Sequence, residues 1–237
     1  MPPWDIEATR LAIARVHGRS QLELARPCLR SLSDRQFYAA FHYQRATAAL
    51  RRYVRQHLEP HDPIPAIFGQ DEVGWNRFNV VIRKLGADIT ACVQSVHALP
   101  DILASAVYYA LALDRTVKPA HGKFVNHAFV TNAIASMPGL QEVHAALRSA
   151  VKGSNYEHLA ALANQAKHYS IVFPALNTDL TGERAEQHML VLPSFRARSK
   201  SYPQVFVSEF LPAVHGHVSQ SILATGLALH AHLQSTA

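Results

Sequence analysis

One segment of this 237-residue chain, from Ser154 to Asp179, gathers side chains that could do chemistry. At about 100° per residue, Glu157, Asn164 and His168 fall on one face of a predicted helix, with Lys167 at the edge of that face. Imidazole, amine and carboxylate groups often transfer protons in catalysis. The stripe is therefore a candidate site, although this combination of residue types is not diagnostic of one reaction.

The helix predicted to carry this stripe begins at a capping box, in which Ser154 and Glu157 each satisfy a backbone N–H of the first turn. Near Tyr169 the hydrophobic period changes from helical to β. Polar side chains just before such a change often bond to nearby backbone. A structural alternative therefore stays open, in which Asn164 and His168 fix the turn between the helix and the first strand.

The rest of the chain has a helical pattern almost throughout. Gly18 ends a first helix, Pro27 interrupts a second, and Ser33 with Gln36 forms a capping box that opens a long third helix. Pro100 either kinks a long apolar helix or starts its successor. The predicted helices cover residues 4–17, 21–32, 33–58, 76–99, 100–113, 123–136, 140–151, 154–169 and 204–233, and residues 59–69 form a proline-rich loop.

Two short β-rich stretches, residues 171–177 and 188–197, interrupt this pattern before the last helix. The predicted fold class is therefore all-α, a helical bundle with a small β-hairpin or ribbon inserted before the last helix. We expect a single helical domain over residues 1–237. Its parts are arginine-rich helices at 1–58, core helices at 75–170, the β appendage at 171–203 and a C-terminal helix at 204–234.

Positive charge is concentrated near the N-terminus. Residues 1–55 contain ten arginines, no lysine and four acidic residues, whereas the rest of the chain balances thirteen basic against thirteen acidic residues. The planar guanidinium fork suits phosphate and carboxylate groups, so this cluster could bind RNA or an acidic protein partner. Arg45, Arg52 and Arg55 are the candidate nucleic-acid-binding residues. The alternative is that the arginines form ordinary solvated helix faces.

Several common classes of site are not indicated by any motif. Fifteen histidines occur without the spacing of a metal site, and the familiar phosphate, dinucleotide and hydrolase motifs are missing, so we expect no metal and no cofactor. Cys28 and Cys92 provide no disulfide framework. No apolar run approaches the roughly 20 residues of a membrane span, and the N-terminus lacks a signal-peptide pattern. The sequence predicts a cytoplasmic protein without a membrane partner.

Two segments carry a family resemblance, residues 75–113 and the stretch LAALANQAKHYSIVFPALN at residues 159–177. They resemble an uncharacterised group of bacterial all-helical proteins, in which a helix ending in an Asn-x-x-Lys-His motif precedes a short β-hairpin and a last helix. Asn164, Lys167 and His168 match that motif, while another residue replaces the arginine that often follows the histidine. More distantly, the architecture is similar to the HEPN (higher eukaryotes and prokaryotes nucleotide-binding) superfamily. Many of its members are dimeric, metal-independent RNases of defence and toxin–antitoxin systems.

Two hypotheses about function follow, from different classes. In the first, the chain is a HEPN-like homodimer that acts on RNA, with His168 as the base near the 2′-OH, Lys167 as the cation on the phosphate and Asn164 as the orienting amide. Of the pairs that match the HEPN arginine–histidine motif, Arg35 with His42 is the best placed. In the second, the chain is a non-enzymatic interaction module that uses the arginine-rich N-terminal helices. The sequence leaves open whether the protein is an enzyme.

Overall fold

Most of the chain is helical, as the sequence predicts. The structure is a computed structural model that describes residues 3–58, 71–121 and 124–236, so the predicted loop at 59–69 lies outside the described residues. The α-helices of the described part are α1 Ile6–His17, α2 Arg19–Tyr53, α3 Glu72–Ala110, α4 His127–Ile134, α5 Gln141–Ser149, α6 Ser154–His168 and α7 Val207–Ser235. A π-helical turn, Val54–Leu58, follows α2, and a 3₁₀ turn, Leu113–Arg115, follows α3.

A small β region precedes the last helix, which confirms that part of the prediction. Its strands are β1 Ala175–Thr178, β2 His188–Leu192, β3 Phe195–Ala197, β4 Lys200–Tyr202 and β5 Val205–Phe206. Strand β2 pairs with β1 and β5 in an antiparallel sheet of order β1-β2-β5, and β3 pairs with β4 in a separate hairpin. The region therefore contains more strands than the hairpin or ribbon expected, because β4 lies after the predicted β-rich stretches and β5 lies within the predicted last helix.

Helix α2 is continuous, so the predicted break between residues 32 and 33 is wrong. The helix runs through Pro27 and past Ser33 without interruption. Buried residues at helical spacing continue across the proline, and Leu29 and Leu32 are fully buried. Burial of an apolar face stabilises a helix more than local propensity does, so packing overrides these local stop and start signals.

The start of α6 also differs from the prediction. The helix begins at Ser154, and within the described part of the chain the Glu157 side chain forms no capping-box hydrogen bond. Its carboxylate instead accepts a hydrogen bond from Lys200 Nζ at 2.5 Å. Glu157 thus forms a long-range ion pair with Lys200 instead of the hydrogen bond that the local pattern predicts at the helix N-terminus.

The chain divides into two compact units, each made of separate segments. The first unit contains residues 1–37, 96–156 and 215–237, and the second contains residues 38–95 and 157–214. The division falls within α2, α3, α6 and α7, so the units do not correspond to consecutive stretches of sequence. The prediction of a single domain over residues 1–237 stays a prediction.

Each unit has its own apolar core. Large side chains that are fully buried in the first unit are Ile13, Leu29, Leu32, Leu99, Leu103, Ile134 and Leu147. Those in the second unit are Leu85, Ile89, Leu159, Leu192 and Leu211. Because burying such side chains is the dominant favourable term in folding, the long helices and β2 are held in place by these cores.

Candidate functional site

A cleft of about 650 Å³ opens in the second unit. It is lined by the C-terminal part of α2 with the π-helical turn, by residues 185–190 at the start of β2, and by the first two residues of α7. Its volume lies within the range of about 300–1,000 Å³ that is typical of small-molecule sites. We take this cleft, with the arginines beside it, as the candidate functional site.

The helical wall of the cleft follows from residue spacing. Tyr43, Thr47, Leu50 and Val54 recur at steps of three and four residues, so they share one face of the helix. Arg51 lies beside this face and also lines the cleft. The last turn is π-helical, a local geometry that is frequent at functional sites.

The opposite wall is organised by the loop between β1 and β2. The Asp179 carboxylate accepts hydrogen bonds from the Thr181 hydroxyl at 2.6 Å, the Thr181 backbone N–H at 2.9 Å and the Arg184 N–H at 2.8 Å. These hydrogen bonds, led by the one from the Thr181 hydroxyl, lower the pKa of Asp179. Arg184 in turn stacks on the Phe206 ring, with its guanidinium carbon 3.8 Å from the centroid. The loop is thus tied to β5 and carries residues 185–187 to the cleft.

Positive charge dominates the helical side of the cleft. Residues 38–58 contain four arginines and no acidic residue. Arg51 has a distant ion pair with Glu186 across the cleft, at 3.6 Å, and both side chains are more than half exposed. Arg52 and Arg55 are exposed, and neither forms an ion pair with any residue that the structure describes. We call Arg51, Arg52 and Arg55 the arginine rim.

Arg45, the remaining candidate for nucleic-acid binding, is held by a buried carboxylate. Its Nε lies 2.9 Å from both oxygens of Asp88, and Nη2 donates to the same carboxylate. His42 Nδ1 donates to Asp88 Oδ1 at 2.8 Å. His42 therefore shares the Asp88 carboxylate with Arg45, whereas the sequence motif pairs His42 with Arg35.

These partners favour the ionised form of Asp88. Burial alone would raise the pKa of Asp88, but hydrogen bonds from Arg45 and His42 outweigh burial and lower it. No motif in the sequence marks Asp88 as a functional residue. The sequence feature that could have identified it is an acidic residue inside the apolar stripe of α3, next to Ile89 and three positions after the buried Leu85.

The predicted catalytic residues lie at the end of α6, outside the lining of the cleft. Asn164, Lys167 and His168 are all exposed, and none of their side chains hydrogen bonds to a residue in the described part of the chain. The structural alternative, in which Asn164 and His168 bond to the backbone of the turn, is therefore wrong. Gln165 has that role, since its carbonyl accepts from the Ser170 N–H at 3.0 Å and its side chain donates to the Ser170 hydroxyl at 3.2 Å.

Metal binding and membrane crossing are not indicated for residues 3–58, 71–121 and 124–236. No group of three or more histidine, cysteine or acidic side chains in these ranges comes together as a metal site would require. None of the helices in the same ranges combines the length and the apolar character that crossing a bilayer demands.

Comparison of the chain with protein-family models, with curated proteins and with solved structures finds no match. The resemblance to the Asn-x-x-Lys-His group, and the more distant one to the HEPN superfamily, therefore stay predictions. Function is accordingly inferred from the geometry of the second unit.

Proposed function

We propose that this protein binds RNA through the arginine rim. The observation that carries the proposal is that Arg51 and Arg55 line an open cleft, with the exposed Arg52 next to Arg51 in the chain, on a helical stretch without acidic residues. Most protein hydrogen bonds to nucleic acids go to phosphates and sugars, and arginine matches a phosphate with a bidentate fork. The rim thus offers several phosphate contacts to one strand.

Several other arginines of the N-terminal region pair with acidic residues on their own helices. Arg52 and Arg55 have no ion pair among the described residues, and Arg51 has only the 3.6 Å contact with Glu186. Arg10 pairs with Glu7 at 3.0 Å, and Arg26 pairs with Glu23 at 3.1 Å. Arg30 lies 3.6 Å from the Asp34 carboxylate. These three arginines have acidic partners on their own helices, whereas residues 38–58 contain no acidic residue that could neutralise the rim in the same way.

An anionic partner would also reduce the electrostatic repulsion between two arginines of the free protein. Arg51 and Arg55 are four residues apart, and like charges at that spacing destabilise a helix by about 0.2–0.5 kcal/mol. A bound phosphate between the two guanidinium groups converts this repulsion into two attractive contacts. The sequence of the rim is therefore better explained by an anionic ligand than by helix stability.

We extend the proposal to RNA cleavage by Asn164, Lys167 and His168. Their exposure at the end of α6 supports this, because a base and a cation must be accessible to a phosphodiester. In this proposal the protein is a HEPN-like bacterial defence or toxin protein that works in the cytoplasm as a homodimer. The free thiols of Cys28 and Cys92 fit a reducing compartment.

The test of RNA binding is fluorescence anisotropy with a single-stranded RNA, measured over a range of salt concentrations. The double variant Arg52→Ala with Arg55→Ala should bind more weakly, and its salt slope should fall by about 0.7 for each phosphate that it no longer neutralises. Arg148→Ala is the matched control, because Arg148 is exposed in the first unit without an ion pair among the described residues. It should bind like the wild type.

Two outcomes would contradict the proposal. One is wild-type protein that fails to bind RNA at low salt. The other is a rim variant whose affinity and salt slope equal those of the wild type. If poly-glutamate binds at the rim and RNA does not, the alternative of an interaction module for an acidic protein is the better explanation.

A further inference from the structure

We propose that the cleft beside the arginine rim holds one unpaired nucleotide, with its base inside the cleft and its phosphate at Arg51 and Arg55. This inference rests on the proposed function where the nucleotide belongs to an RNA strand. A free nucleoside monophosphate has the same chemistry, and the experiment below distinguishes the two sources.

The interior of the cleft is suited to a base. Leu50, Val54, Met189 and Leu190 line it and are all buried in the folded chain. Tyr43 lines it as well and is only partly buried, so its ring is accessible from the cleft. Apolar and aromatic surfaces bind bases by stacking and by contact, which tolerates any sequence.

Burial favours the neutral form of the Tyr43 phenol. It raises the pKa of Tyr43, and the nearby Arg51 opposes that rise without cancelling it. A neutral phenol ring stacks on a base without repelling the adjacent phosphate. The Tyr43 ring thus suits the base of a nucleotide, and the Arg51 guanidinium group suits its phosphate.

Some of the polar residues that line the cleft are exposed, whereas His188 also lines it and is buried. Gln187 and Ser208 line the cleft and are exposed, and neither side chain hydrogen bonds to a residue within the described ranges. Thr47 is different, because its hydroxyl already donates to the carbonyls of Tyr43 and Gln44 at 3.0 Å each. The amide of Gln187 and the hydroxyl of Ser208 are therefore available for the edge of a base or for its ribose.

The phosphate position is defined by charge. Arg55 lies one turn after Arg51, and both line the cleft. The Glu186 carboxylate also lines it and lies 3.6 Å from Arg51, but both side chains are largely exposed. Exposed ion pairs of this kind contribute little to stability, so a phosphate can displace Glu186 from Arg51.

The size of the cleft is sufficient for a single nucleotide. Its volume of about 650 Å³ lies within the range of small-molecule sites. Base recognition by proteins commonly requires an unstacked nucleotide, as in single-stranded loops and ends. The inference therefore predicts a preference for single-stranded RNA over a blunt duplex of the same length.

The experiment uses photo-crosslinking of the full chain to an oligouridylate of about eight nucleotides that contains 4-thiouridine, a length within the range bound by single-strand-binding folds. Mass spectrometry should find the crosslinked base on Tyr43 or Met189. Thr47→Trp and Ser208→Trp each place a large ring in the cleft from opposite walls. Each should weaken binding of the oligomer roughly tenfold or more, which is the loss of one stacked base, and leave the salt slope unchanged.

Gln44→Trp is the matched control, because Gln44 is exposed on the same helix and does not line the cleft. It should bind like the wild type. Crosslinks found only outside the cleft, or wild-type affinity in both filled variants, would overturn the inference while leaving RNA binding at the rim intact. Wild-type protein that binds uridine monophosphate but no RNA would support the nucleotide site and overturn the proposed function.

Discussion

At the scale of single residues, the buried carboxylate of Asp88 shows how one side chain fixes the orientation of others. Its side chain is 8% exposed and receives hydrogen bonds from both His42 and Arg45. A buried carboxylate is tolerable only with such partners, because leaving it unpaired costs several kcal/mol. Arg45 is therefore held in place by the Asp88 carboxylate, whereas Arg52 and Arg55 have no ion pair among the described residues.

We expect Asp88→Asn to reduce the free energy of unfolding by about 1–3 kcal/mol at pH 7, the cost of leaving buried hydrogen-bonding groups poorly satisfied. The pKa of Asp88 is lowered in the folded protein, so its ionised form contributes stability above its ordinary pKa. That contribution is lost as the pH falls through the lowered value. Urea unfolding of wild type and variant between about pH 7 and pH 2 should therefore give curves that converge at low pH.

Asp71→Asn is the control, because Asp71 is exposed and its side chain has no hydrogen bond within the part of the chain that the structure describes. It should change stability by less than about 0.5 kcal/mol. A difference between Asp88→Asn and the wild type that stays constant with pH would contradict the assigned role of the carboxylate.

His168 provides a second prediction at this scale. Because its side chain is exposed, His168→Ala should change stability by no more than about 0.5 kcal/mol. If His168 is the base for RNA cleavage, the same variant should lose cleavage of a mixed RNA pool. Melting curves and a gel assay for nuclease activity measure the two effects separately. A wild type without nuclease activity would end the cleavage proposal and leave RNA binding untouched.

At the scale of elements, the sequence predicts what depends on local pattern and misses what depends on packing. The positions of α1, α5 and α6 follow from periodicity and from terminating residues to within a few positions, whereas the predicted stretch 188–197 contains two separate strands, β2 and β3. The continuity of α2 does not follow from the local pattern, because Pro27 and the Ser33 capping pattern are local signals that the buried side of the helix overrides. The Asp5 cap of α1, whose carboxylate accepts from the Ala8 N–H at 2.9 Å, was also missed.

The candidate site shows the same limit. Arg52 and Arg55 could be identified from composition, since arginines without nearby acids stand out in a sequence. The cleft could not, because its walls come from segments separated by more than a hundred residues. Residue spacing places Asn164, Lys167 and His168 on one stripe of the predicted helix, and the structure shows that all three are exposed in the last turns of α6.

The β1–β2 loop gives a prediction at the element scale. Glu186 brings a negative charge to the rim, so Glu186→Gln should strengthen RNA binding. The gain should match the removal of one exposed ion pair, about 0.2–1 kcal/mol, or roughly 1.5- to 5-fold in Kd. Anisotropy titrations at fixed salt measure it. Glu183→Gln is the control, because Glu183 is in the same loop, is exposed and does not line the cleft; equal gains in both variants would indicate a general charge effect.

At the scale of the whole molecule, we expect a symmetric homodimer. The sequence motivates this expectation, because the apolar helical region after Asn76 is larger than one helical hairpin hides easily, and most soluble oligomers are closed and symmetric. The structure adds that Val73 and Val80, which are seven residues apart and share one face of α3, are exposed, at 67% and 51%. Exposed apolar patches often mark protein–protein contacts.

Multi-angle light scattering over a wide concentration range should give twice the monomer mass of 26.2 kDa. The double variant Val73→Glu with Val80→Glu should shift the protein towards the monomer, because paired chains would have to bury two charges in each contributed patch. Leu180→Glu is the control, since Leu180 is also strongly exposed, at 83%, but lies in the β1–β2 loop. A wild type that stays at the monomer mass at every concentration would refute the dimer. A dimer that the α3 variant leaves intact would place the contact elsewhere on the molecule.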